Sequence, residues 1–187
     1  GVRFLPSGLS RFIQLPLHEL TNQRICADEV TNFFDASFAE RLCEEDNFGD
    51  RIKIIEELFI KSLYKYDLQT DPQIAFAIEQ INRHQGKLPV QSLVEDICLC
   101  QRQFERKFKI NTGYTPKIYS RIMQFKNAVD LLRSATCDNL LSTAVHAGYY
   151  DVPHLSREIK RMSGNTPYSF LALPSPEEEV TLTYVEA

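Results

Sequence analysis

Arg106-Lys107-Phe108-Lys109 runs through three residues into Gly113-Tyr114-Thr115-Pro116, and Arg157-Glu158-Ile159-Lys160 runs through three into Gly164-Asn165-Thr166-Pro167. The two copies keep one offset, 51 residues, at Arg106/Arg157, Lys109/Lys160, Gly113/Gly164, Thr115/Thr166, Pro116/Pro167 and again at Tyr119/Phe170. Phe104/Phe108 and Leu155/Ile159 are apolar pairs four residues apart, so each copy predicts a helix that buries one stripe. Arg102, Arg106 and Lys107 in the first copy, and Arg157 and Lys160 in the second, fall largely off that stripe. Gly113 and Gly164 can take the left-handed conformation that ends a helix. Thr-Pro then restarts one, with Thr as N-cap and Pro as the first helical residue. A basic helix, a glycine stop and a new helix, written twice, is a repeated structural unit.

Each copy is preceded by a second short helix. Ser92-Leu93-Val94-Glu95-Asp96-Ile97 and Asn139-Leu140-Leu141-Ser142-Thr143-Ala144-Val145 carry a polar cap, Ser92 or Asn139, and apolar residues at helical spacing. A turn of about four residues then leads into the basic helix, which is the plan of a helix-turn-helix. Gly148 suits that turn in the second copy. The first copy places Cys98 there, and Cys100 where a capping serine is expected. Proline 116 opens a connecting helix of about 19 residues, roughly 28 Å long. That length can hold two recognition helices about one duplex turn apart, near 34 Å.

Residues 71–173 resemble the DNA-binding region of AraC/XylS-type bacterial transcription regulators. The second unit carries most of the resemblance: Ala144, Gly148-Tyr149, Asp151, His154-Leu155-Ser156-Arg157 and Lys160, then Gly164, Thr166-Pro167 and Phe170, in one order. The connecting helix adds Arg121-Ile122, Phe125 and Ala128. Departures from the pattern are Cys98 and Cys100, Pro153 in the second basic helix, and Ile159 where phenylalanine is usual. The resemblance implies an all-α fold: two helix-turn-helix subdomains (about 88–115 and 139–171) joined by a long helix (about 116–134).

It also implies site residues. Base edges would be read by Arg102, Glu105 and Arg106, with Gln101 and Gln103 at the margins, and by Val152, His154, Ser156 and Arg157. Arginine can make a bidentate contact with guanine, glutamate can accept from cytosine N4, and valine offers only apolar contact. Phosphates would be held by Lys107, Lys109, Lys117, Lys160 and Arg161, and by helix N-terminal amides near Ser92 and Leu140. Proline 153 has no amide to donate. The second helix therefore has the better-matched frame and the first the better reading surface.

Charge agrees once it is divided along the chain. The whole carries −4 at pH 7. Residues 72–174 hold 13 Lys+Arg against 8 Asp+Glu, residues 1–71 hold 8 against 13, and residues 175–187 hold none against 4. A basic module between acidic segments supplies local phosphate neutralisation. The 43% hydrophobic content over 187 residues suffices for one or two small cores. Neither a run of 18 apolar residues nor a signal-like start is present, so membrane association is not expected and a cytoplasmic location is. Five cysteines without a framework spacing fit reduced thiols. Cys98-x-Cys100 lacks the further ligands a zinc site needs, so no metal or cofactor is expected.

Residues 1–70 read as a linker. Gly1-Val2-Arg3-Phe4-Leu5-Pro6-Ser7-Gly8 suggests a short strand at residues 2–4 and a turn. Helices are expected at 30–43, with Phe33, Phe34, Phe38 and Leu42 inward, and from Asp50 as N-cap to about Lys65, burying Ile52, Ile55, Leu58, Phe59 and Leu63. Asp71-Pro72 opens another helix, to about His84. The start is similar to the junction in AraC-type regulators where a β-rich sensor gives way to a helical linker. That implies a sensor mostly upstream, an unidentified effector, and self-association into a homodimer through the linker or the sensor. The alternating Val180-Thr181-Leu182-Thr183-Tyr184 in the acidic tail, 174–187, reads as a strand or a disordered end.

The function expected is sequence-specific binding of double-stranded DNA by a transcription regulator. The alternative is a protein-interaction scaffold of the same fold that no longer binds DNA. No nucleophile, base and orienter converge in the sequence, so catalysis is not expected and no catalytic residue is assigned.

Overall fold

The computed structural model describes residues 2–13, 15–30, 34, 36–66, 71–134 and 139–171. Phe33, the tail 174–187 and the strand considered at 180–184 lie outside the described residues. Among the described residues two 3-10 turns, Leu9–Arg11 and Leu17–Glu19, precede ten α-helices: α1 (Ala27–Val30), α2 (Ala36–Glu44), α3 (Phe48–Tyr66), α4 (Pro72–Arg83), α5 (Val90–Asp96), α6 (Gln101–Thr112), α7 (Pro116–Arg133), α8 (Leu140–Ala147), α9 (Val152–Ser163) and α10 (Pro167–Leu171). The fold is all-α. Two compact units divide the chain, Gly1–Phe76 with Arg102–Thr115, and Ala77–Gln101 with Pro116–Ala187.

The first unit is built on aromatic packing. Phe59 of α3 meets the rings of Phe4, Phe12 and Phe34 at 5.3, 4.8 and 5.9 Å, all edge-on. Phe34 also packs on Phe38 at 5.6 Å. Such edge-to-face pairs add about 0.5–1.5 kcal/mol each beyond the area they bury. The stretch at residues 2–4 is not a strand. Phe4 enters this ring cluster instead, and the amide of Gly8 closes a turn on Leu5 O at 2.7 Å.

Other expectations for this unit change in detail. The helix expected at 30–43 is two helices, α1 and α2, with Phe34 between them. Helix α3 starts before Asp50, because the Asn47 side chain accepts the amides of Gly49 (2.7 Å) and Asp50 (3.4 Å) and so serves as the cap. Ile52 is 40% exposed and Phe48 76% exposed. Both line an open groove with Leu42 and Ile55 and are not core. Helix α4 begins as expected, with Asp71 Oδ1 accepting the amide of Gln73 at 3.0 Å.

In the second unit, α7 buries Tyr119, Ser120, Phe125, Asn127, Ala128, Val129 and Leu132. Its 18 residues span about 27 Å. Phe125, Ala128, Val129 and Leu132 form one core with Ala144 and Ala147 of α8, Tyr149 of the following turn, Leu155, Ile159 and Met162 of α9, and Phe170 of α10. Pro116 and Pro167 open α7 and α10, as the Thr-Pro steps predict. In the first turn of α7, the Tyr119 hydroxyl donates to Asn82 Oδ1 at 3.0 Å. Gly86 lies against the same helix: a Cβ there would come within 2.0 Å of Ser120 O.

Helix α5 starts three residues earlier than a Ser92 cap requires. Pro89, with φ −60° and ψ 133°, takes the N-cap place, and its carbonyl accepts the Ser92 amide at 3.1 Å. Ser92 is thus inside the first turn. Asn139, by contrast, caps α8 as expected, its Oδ1 accepting the Ser142 amide at 2.8 Å.

Candidate nucleic-acid interface

Helix α9 is positioned from both ends. Asp151 Oδ1 accepts the amide of His154 at 2.7 Å, Pro153 sits in the first turn, and Gly164 (φ 73°) ends the helix with its amide on Lys160 O. Leu155, Ile159 and Met162 are buried. On the opposite side Arg157, Lys160 and Arg161 are exposed, with no ion pair among the described residues. This opposition puts three cations on one outward face, because residues 157, 160 and 161 fall within about one-third of the helix circumference.

The turn before α9 is held by the long helix. Gly148 takes φ 81° at the end of α8, which only glycine adopts freely. Its carbonyl accepts from Gln124 Nε2 of α7 at 2.9 Å. Lys87 donates to the carbonyl of His146, at the last turn of α8, at 3.2 Å. A Cβ at Gly148 would fall 2.8 Å from Lys87 Cγ, so this glycine serves both conformation and close approach. Further along α7, Arg121 donates from Nε and Nη2 to Glu158 Oε2 at 3.2 and 2.6 Å. The helix-turn-helix is thus clamped to α7 at its turn and at the middle of α9.

Helix α6 shows the same division of faces. Phe104 and Phe108 are fully buried, their rings edge-on at 5.6 Å. Arg102, Arg106 and Lys109, spaced to share a face, are exposed, as are Gln101 and Gln103. Glu105 is half-buried. The turn that leads in from α5 uses Cys98 in the left-handed region, φ 53°, where the second copy has Gly148. Gly113 (φ 85°) ends α6 with its amide on Lys109 O at 2.9 Å.

A family model for a helix-turn-helix domain, of the AraC type, matches residues 93–172. The match spans less than half of the chain. Two solved structures resemble the chain, each at 22% identity. The xylose-binding transcription activator XylR aligns with TM-score 0.52 over 58% of this chain and 28% of its own. The DNA-binding domain of the global transcriptional factor AdpA, solved in complex with a target DNA, aligns with TM-score 0.50 over 55% of this chain and 92% of its own. At this identity the likeness is one of fold, and the chain spans little more than a quarter of XylR. No curated protein sequence matches it.

Within the matched helix-turn-helix region the sequence-derived residues fall into two sets. Arg102, Arg106, Lys109, Arg157, Lys160 and Arg161 stand exposed on α6 and α9, and Lys117 is exposed at the start of α7. The others are half-buried or engaged. Lys107 is half-buried, with its ammonium 2.9 Å from Asp71 Oδ2 and 3.2 Å from Gln73 Oε1. Burial opposes the charged form of Asp71, but hydrogen bonds from Lys107 and the amides of Gln73 and Ile74, with the lysine charge, hold its pKa below the usual range. His154 packs its ring edge-on against Tyr149 at 5.3 Å, and Val152 and Ser156 are half-buried.

Residues that hold the frame were not legible from spacing. Glu158, Gln124 and Lys87 act on partners 37, 24 and 59 residues away. Tyr150, 90% exposed immediately before the cap of α9, carried no pattern signal. Tyr149, buried two residues before the cap of α9, has its hydroxyl pKa pushed up by burial and by Glu158, with Arg121 opposing. Among the described residues no group of three or more His, Cys, Asp or Glu could hold a metal ion, and no helix is long and apolar enough to cross a membrane.

Proposed function

We propose that the chain is a sequence-specific DNA-binding transcription regulator that places α6 and α9 in successive major grooves on one face of a duplex. The observation that carries this is the repeated opposition of faces. Each helix buries large apolar residues and turns three exposed cations outward, Arg102, Arg106 and Lys109 on α6, and Arg157, Lys160 and Arg161 on α9. A surface helix held at its turn and its middle can present such a face without losing it to motion. The AdpA domain, similar in fold, was solved on a target DNA.

In this reading Arg102, Glu105, Arg106, Ser156 and Arg157 read base edges, and Lys109, Lys117, Lys160 and Arg161 hold phosphates. Val152 and His154 serve as flank contacts, since His154 is already packed on Tyr149. Lys107 supports the helix and contributes its field more than a direct bond. The amides at the start of α8, beside Asn139, offer a further phosphate donor set.

Selecting bound duplexes from a random pool tests the proposal, because it returns both a sequence and a half-site spacing. Two conserved blocks about one helical turn apart are expected, with affinity falling steeply as salt rises. Failure to retain any duplex at low salt would leave the scaffold reading in its place.

A further inference from the structure

The two motif copies end on equivalent glycines, and the structure treats them differently. Gly113 and Gly164 have nearly the same conformation, φ 85° and 73°, and each returns its amide to the basic residue four positions earlier, Lys109 or Lys160. Nothing lies within 4 Å of a Cβ built on Gly164. A Cβ on Gly113 would fall 2.8 Å from Thr21 Oγ1 and 3.3 Å from Leu17 O. Gly164 is exposed and Gly113 buried. The exit of the first recognition helix is therefore covered by residues 17–21.

The covering piece is internally braced. Glu19 and Leu20 donate their amides to Pro16 O and Leu17 O at 3.0 and 3.1 Å, and Gln23 donates to Leu20 O at 3.2 Å. The Thr21 hydroxyl lies 3.3 Å from both Leu17 O and Gly113 O, so one side chain spans the turn and the helix exit. Asn22, with φ 59°, then carries the chain away. A second attachment lies further back on α6, where Lys107 meets Asp71 and Gln73. A side chain at residue 113 would displace this turn, so glycine is required there for approach as well as for its positive φ.

We infer that residues 17–21 form a clasp through which the N-terminal region sets the placement of α6, with Thr21 and Leu17 as positioning residues for the first recognition helix. The inference rests on the DNA-binding reading for its consequence and on the Thr21–Gly113 geometry for its mechanism. It gives the two recognition helices different roles. A shift in the N-terminal region, such as a bound effector or partner would cause, reaches the first helix through its exit and changes the readout of one half-site.

Amide hydrogen exchange on the 187-residue chain tests the mechanism without DNA. Thr21→Phe, which wedges the clasp, is expected to speed exchange several-fold in the last turn of α6 and to leave α9 unchanged. Thr21→Val keeps the volume and removes the hydroxyl, and should give a smaller change at the same amides. Gly113→Ala and Gly164→Ala carry the same φ penalty, so Gly113→Ala should loosen its helix end more. Equal effects of the two glycine variants, with no response of α6 to either Thr21 variant, would overturn the clasp. On duplexes selected from a random pool, Thr21→Phe should relax the block that Arg106→Ala relaxes and keep the block that Arg157→Ala relaxes. Relaxation of both blocks alike would also overturn it. Should the unmodified chain retain no duplex, the DNA-binding reading falls while the exchange result still decides the clasp.

Discussion

Arg121 on the connecting helix α7 and Glu158 on α9 share one carboxylate oxygen through two donors, Nε at 3.2 Å and Nη2 at 2.6 Å. Their side chains retain 24% and 17% of their exposure, so the pair is largely withdrawn from water. Charge-assisted bonds in that setting are stronger than surface pairs. Removing one partner leaves the other desolvated and unpaired. Arg121→Ala and Glu158→Ala are each expected to destabilise the second unit by about 1–3 kcal/mol. The double variant should cost less than the sum, which urea unfolding of the four proteins measures as a coupling energy.

A second comparison uses two glycines of matching conformation. Gly86 (φ 74°) and Gly164 (φ 73°) pay a similar penalty for any side chain. Gly164→Ala meets open space and should cost roughly 1–2 kcal/mol from the left-handed backbone alone. Gly86→Ala adds a Cβ at 2.0 Å from Ser120 O and 2.7 Å from Gln124 N, both backbone atoms of α7 that cannot move aside cheaply. Roughly 2–5 kcal/mol is expected there. Thermal midpoints that fall equally in the two variants would contradict this account of Gly86.

The second subdomain was legible because its signals are local. Asn139, Gly148, Asp151 and Gly164 act on neighbours within five residues, so caps and glycines at fixed offsets place α8 and α9. Ser92 and Asp50 misled for the same reason. Each is a good capping residue, but Pro89 and Asn47 lie just upstream and take the place first. The clamps were illegible. Arg121–Glu158 and Lys107–Asp71 join residues 37 and 36 apart, and no periodicity encodes which of several charged residues will meet across a fold. Lys107 shows the cost of reading charge by face alone, since it sits beside exposed cations and is itself engaged by Asp71.

That engagement has a pH consequence. Asp71 has its pKa lowered in the folded state, chiefly by the Lys107 hydrogen bond working against burial. A carboxyl depressed on folding contributes stability that is present above its unfolded pKa and is lost as pH falls through the folded one. Unfolding titrations of the unmodified chain should therefore show stability declining as pH drops below about 4. Asp71→Asn should be less stable at neutral pH and flatter through that window. An unchanged acid limb in Asp71→Asn would mean other carboxylates carry it.

The exposed cations give the sharpest test of readout. Arg106 and Lys109 stand on the same outward face of α6, but only arginine offers the planar pair of donors that matches guanine O6 and N7. Arg106→Ala is expected to cost about 1–3 kcal/mol on the selected duplex and to relax preference at one base pair. Lys109→Ala should weaken all duplexes nearly alike and reduce the salt slope by about 1. Lys107→Ala should do neither cleanly, because its ammonium is held by Asp71 and Gln73, and should lower folding stability instead. Fluorescence anisotropy across a salt series, on matched and single-substituted duplexes, separates the three. Identical specificity profiles for Arg106→Ala and Lys109→Ala would remove Arg106 from base readout and return it to the phosphate set.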